Sequence, residues 1–230
     1  MKRLLQLLIL LSTLFATSAA AQRDTAAWLA AQTYADALKN GGLVVRLTSN
    51  HRKMQAMRAL LDTGALNDQN RLRLRNELEL TEVETRRQNR EIMTAFRLKY
   101  NLSQVYFTYD TASVYLAAGR RNGYFLNDSL LTDPSIQLQE GPFLSLRVGY
   151  ADAANYSGAE GLILGDAALK DLRNRYFPTS AAFNNFVFFF NDWLNPSTAS
   201  QKRYLKAVEK LRIKLREALN NLTDSEDDDK

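Results

Sequence analysis

Apolar positions along this chain repeat with two periods, and small polar residues or glycines mark where one period gives way to the other. Residues 24–39 carry Trp28, Leu29, Thr33 and Ala37 on one face at helical spacing, which predicts a helix stopped by Asn40-Gly41-Gly42. Leu43-Val44-Val45-Arg46-Leu47 is rich in β-branched residues and predicts a strand. Thr48-Ser49-Asn50 then predicts a cap for a helix running to Asp62, with Met54, Met57, Leu60 and Leu61 inward and Gly64 as the stop. Residues 67–100 predict one long helix. Its middle, from Glu82 to Glu91, has Val83 as its sole large apolar residue before Ile92, Met93, Phe96 and Tyr100 resume the stripe. That middle is expected to project or to be half-solvated.

The second half changes character. Val105-Tyr106-Phe107-Thr108-Tyr109 predicts a strand, and Asp110 a cap for a short helix ended by Gly119. Tyr124-Phe125-Leu126 predicts a third, short strand. Residues 143–150 alternate clearly, and Gly161-Leu162-Ile163-Leu164-Gly165 predicts their partner, with Asp166 as the cap of a turn or helix after it. After the break at Phe177-Pro178, residues 181–194 predict a helix on the Phe183, Phe186, Val187, Phe190, Leu194 stripe. Beyond Pro196, a last helix carries Tyr204, Val208, Leu211, Leu215, Leu219 and Leu222 inward. Early strands separated by helices imply a parallel βαβ unit, and later strands joined by loops imply a hairpin. The expected fold is α/β, a mixed sheet of about four to five strands with flanking helices and two C-terminal helices. Its β-α-β-α-β-β-α skeleton is also that of a thioredoxin-like fold.

Composition adds a compartment. Lys2 and Arg3 precede the apolar run Leu4–Phe15, and Ala19-Ala20-Ala21 meets Gln22, the pattern of a signal peptide over residues 1–21. The run is shorter than the about 20 apolar residues of a membrane span. With no cysteine anywhere, disulfides, thiolate metal sites and a lipid anchor on cysteine are excluded. The expectation is a soluble exported chain, periplasmic or secreted. A single domain spans residues 22–223, and a disordered acidic tail occupies 224–230. The formal charge of +5 falls to +3 once Lys2 and Arg3 leave with the leader. The tail is acidic, so the body is the basic part, suited to an anionic envelope surface or a protein partner and not to nucleic acid.

The leader ending AAAQ, the segment LVVRLTSNHRKM at 43–54, the segment AFRLKYNLSQVYFTYD at 95–110 and Phe177-Pro178 resemble a group of exported proteins from Bacteroidota-type bacteria. The resemblance implies location and a single-domain build. It supplies no activity.

Candidate chemistry sits where strands end, because open α/β sheets bind ligands beyond the carboxyl ends of parallel strands. Ser49-Asn50-His51, Tyr109-Asp110 and Gly165-Asp166 occupy such ends. Asp110, His51 and Asp166 are the candidate catalytic groups of an extracytoplasmic hydrolase, provided that they converge. The competing role for Asn50, Asp110 and Asp166 is helix capping. His51 is the single histidine, no G-x-S-x-G elbow is present, and no metal or cofactor is expected. Asn50, Tyr109, Phe188 and Phe189 are the candidate binding residues. One helix cannot direct the whole Phe186–Phe190 run into a single core, so a partner contact is expected there. Binding of a partner or ligand is the favoured reading, and the hydrolase is the alternative.

Overall fold

A computed structural model describes residues 25–152, 155, 157–183 and 196–227. The leader pattern, Phe188 and Phe189 lie outside these residues. A helix over residues 25–36 (α1) passes through a π turn, Ala37–Gly41, into β1, Leu43–Leu47. Two helices come next, α2 over His51–Asp62 and α3 over Asp68–Lys99. Strand β2, Val105–Tyr109, leads through a 3₁₀ turn to the short α4, Ser113–Ala117. After a long loop come β3 (Leu144–Asp152), β4 (Ser157–Gly165), β5 (Ser180–Ala182) and the terminal helix α5, Pro196–Asp227.

The strands form one mixed sheet in the order β2-β1-β3-β4-β5. β1 lies parallel to both β2 and β3, in register Val45↔Phe107 and Val45↔Leu146. β3 and β4 pair antiparallel, and so do β4 and β5. This is the expected α/β class. Residues 124–126 form bridges and not a strand: Phe125 pairs antiparallel with Thr108 and blocks the free edge of β2. β5 takes in Ala181 and Ala182, where the apolar stripe predicts the start of a helix. Three residues of edge strand are too few to leave a period.

Strand alternation divides the core in two. Leu43, Val45 and Leu47 point to the face covered by α1, α3 and α5, where they meet Phe96, Phe107, Leu146, Leu164, Val208 and Leu211. Val44 points to the opposite face and packs with Tyr106, Leu116, Phe125, Leu138 and Phe143 beneath α4 and the long loop. The α5 stripe behaves as its period predicts, with Val208, Leu211 and Leu215 fully buried. The helix continues through Asp227 into the acidic stretch expected to be disordered. Its anchor at Leu222 lies one turn earlier, and extending a nucleated helix adds one hydrogen bond per residue.

Other faces differ from their prediction. In α1 the buried residues are Ala31 and Ala35, while Leu29 is exposed. Alanines let the helix axis approach the sheet closely, and bulk is supplied at the margins by Trp28 on Tyr176 and Tyr34 on Phe177. In α2 Met57 alone is buried, because this helix rests on α3 and no other layer of the described residues covers it. The first turns of α3 are solvated and its middle is half-solvated, as expected: Val83, Glu84, Arg86, Arg87 and Arg90 are exposed, while Thr81, Thr85 and Asn89 on the opposite face are buried ahead of Ile92. The inward face of this middle is polar and buried at once, which apolar periodicity cannot reveal.

Candidate functional site

The buried polar stretch of α3 passes beneath the carboxyl end of β1. Asn89, 1 % exposed, donates from Nδ2 to the Thr48 carbonyl at 2.9 Å. Asn50 donates from Nδ2 to Thr85 Oγ1 at 2.8 Å. Asn50 therefore does not cap α2 with its side chain. It holds a left-handed backbone at φ 51° and ties the β1–α2 turn down to α3. A left-handed L-residue costs roughly 1–2 kcal/mol, which asparagine tolerates better than most. Asp110 accepts the Ser49 amide on Oδ1 at 3.1 Å and joins the ends of β1 and β2; the residue flanking its 3₁₀ turn is Tyr109.

These ties form the floor and rim of a cleft of about 410 Å³ between α2, α3 and the strand ends. Ser49, His51, Arg58, Thr85, Arg86 and Asn89 line it, with Tyr109 on one wall. Arg58 is ion-paired to Glu82 across the α2–α3 interface. Burial raises the Tyr109 hydroxyl pKa above its ordinary value, opposed by the Arg86 charge, and the hydroxyl donates to the Leu130 carbonyl at 3.1 Å. Tyr109 thus presents its ring to the cleft, with its polar end engaged elsewhere. Among the described residues, Asn89 Oδ1 is the one buried side-chain acceptor that no donor reaches. Rotating the amide would set Oδ1 against the Thr48 carbonyl, so the bond from Nδ2 to Thr48 fixes the orphan in place.

The expected catalytic trio does not converge. His51 lines the cleft, whereas Asp110 is not among its lining residues and lies between Tyr109 and Thr111, which are, with one oxygen on a backbone amide. No hydrogen bond among the described residues joins His51 to Asp110. Asp166 lies at the other end of the sheet. β4 runs antiparallel, so its carboxyl end pairs with the start of β3, Gly165 with Ser145. Ser145 is in turn the register partner of Val44, so three residue steps of strand, roughly 10 Å, separate that level from Leu47 and Tyr109 at the carboxyl ends of β1 and β2. Asp166 closes its own turn by accepting the Lys170 amide at 2.9 Å. Among the described residues no group of His, Cys, Asp or Glu is placed to hold a metal ion, and no helix is long and apolar enough to cross a membrane.

Sequence reasoning places Ser49, Asn50, His51, Tyr109 and Asp110 near one another because β1 and β2 are parallel neighbours. It misses Thr85, Arg86 and Asn89, which belong to an unremarkable charged stretch of helix. The available signal is negative: three polar residues at i, i+4 and i+8 (Thr81, Thr85, Asn89) continue the line of the apolar stripe beyond them. Comparison with known proteins found no matching family model, no matching curated protein and no matching solved structure.

Proposed function

We propose that this chain is an exported binding protein that takes a small polar ligand in the cleft beyond β1 and β2. The observation that carries the reading is Asn89 Oδ1. A buried acceptor without a partner costs about 1–3 kcal/mol, and native structures hold few of them. Asn89 lines the cleft, and its Oδ1, closed to solvent, is opened to a ligand hydroxyl or amine by a small shift of the lining side chains. Arg86 adds a cation on the wall, which suits a ligand that also carries a carboxylate or another anion. The strand-end position is the usual one for ligands of open α/β sheets. Export rests on the leader pattern of residues 1–21.

The test is a thermal-shift screen of amino acids, hydroxy acids and sugar acids on the full chain and on Asn89→Leu and Arg86→Gln. A ligand at about a hundred times its Kd stabilises the native state by about 2.7 kcal/mol. The expected result is a stabilising compound whose effect is lost in Asn89→Leu and reduced in Arg86→Gln. A screen without stabilisation, or one in which both variants respond like the wild type, refutes the proposal.

A further inference from the structure

On the opposite face of the sheet, β1 and β3 place Arg46 and Arg147 side by side as register partners. Strand spacing sets their backbones roughly 4.8 Å apart, and strand alternation directs both away from α1, α3 and α5. Two guanidinium groups repel at this distance unless anions lie between them. Arg147 has its anion: Nε donates to Asp171 Oδ1 at 3.0 Å and Nη2 to Oδ2 at 2.6 Å, with a third bond from Nη2 to the Tyr150 carbonyl. Arg46 has none in contact among the described residues. Its Nε donates to Ser113 Oγ at 3.1 Å, and that hydroxyl is itself fixed by donating to the Asp110 carbonyl at 2.6 Å. No hydrogen bond from the Arg46 terminal nitrogens to a described residue is present, although the side chain is held firmly at Nε.

The space in front of the pair is built, not incidental. A cavity of about 690 Å³ is lined by Arg46, Arg147, Lys170 and Arg173 with Asp166 and Asp171. The turn carrying the last residues is closed by Asp166, whose Oδ1 and carbonyl accept the Lys170 and Leu169 amides, and it holds Leu169 at φ 63°. Burial lowers the Arg46 pKa, Asp110 opposes the effect and Arg147 adds to it, yet a guanidinium stays charged at neutral pH.

From these residues we infer that the Arg46–Arg147 face binds a phosphoryl dianion, as free phosphate or as a phosphate monoester. Four cations and two carboxylates line the cavity, and Asp110 acts on Arg46 from behind, which leaves a net positive site that a dianion offsets. Asp171 already satisfies one carboxylate's worth of donors, and a tetrahedral phosphoryl group has oxygens for Arg46 as well as for the exposed Lys170 and Arg173.

The experiment is calorimetric titration of the full chain at fixed ionic strength with inorganic phosphate, glycerol phosphate and, as comparator, succinate. Saturable binding of at least one phosphoryl probe, tighter than succinate, is expected. Arg46→Gln should weaken it by about tenfold or more, the worth of a charge-assisted hydrogen bond. Arg173 is exposed, so Arg173→Gln leaves the fold intact and should weaken binding a few-fold. Phosphate alone binding identifies free anion as the ligand; glycerol phosphate binding more tightly identifies the monoester. No saturation by either up to about 20 mM, succinate binding as tightly, or unchanged affinity in both variants would overturn the inference.

Discussion

Replacing Asn89 by leucine should make the protein more stable and less able to bind. The side chain is almost fully buried and makes one hydrogen bond, Nδ2 to the Thr48 carbonyl at 2.9 Å. Losing that bond costs about 0.5–1.5 kcal/mol. Against this, removing the unpartnered buried Oδ1 recovers about 1–3 kcal/mol, and leucine fills the space that asparagine leaves, so little cavity opens. The balance favours the variant by roughly 1 kcal/mol, or about 2–4 °C in Tm for a chain of this size. Urea and thermal unfolding followed by circular dichroism, without added ligand, measure it directly. Asn89→Ala is the control: it also deletes the orphan, but leaves a hole beside Thr85 and should be less stable than the leucine variant. A loss of more than about 1 kcal/mol in Asn89→Leu would mean that Oδ1 is satisfied in the native protein. The ligand argument built on it would then fail. A gain in stability with loss of binding is the usual signature of a residue kept for function.

Two further predictions concern the frame around the sites. Gly41→Ala should destabilise by about 1–3 kcal/mol or more, read as a lower urea midpoint, because its Cβ would lie 1.8 Å from the Pro142 carbonyl oxygen. Burial pushes the Tyr100 hydroxyl up to about 12, against the opposing hydrogen bond from Ser103, whereas the unfolded chain ionises near 10. The unfolded state therefore releases its proton first, and stability should fall between about pH 10 and pH 12 by about 2–3 kcal/mol from this group. Tyr100→Phe should flatten that part of the curve, and an unchanged alkaline slope would contradict the assignment.

What the sequence determines by itself is local. The β-branched run at 43–47, the alternation at 143–150 and the leucine stripe of α5 each encode an element, because strand and helix geometry repeat within a few residues. The parallel pairing of β1 and β2 also comes from the helices between them, and with it the meeting of Asn50, His51, Tyr109 and Asp110 at one end. Tertiary structure decided the rest. Strand direction after β3 sends Asp166 to the far end of the sheet, and direction is a property of pairing that Gly165-Asp166 does not encode. The buried face of α1 is set by how closely alanines approach the sheet, and the cover over α2 by which layers are present. The two candidate sites show the limit most clearly. Thr85 and Asn89 look like solvated helix residues, and Arg46 and Arg147 stand far apart along the chain. Only register places the two arginines on one face, and only packing buries an amide whose oxygen no donor among the described residues reaches.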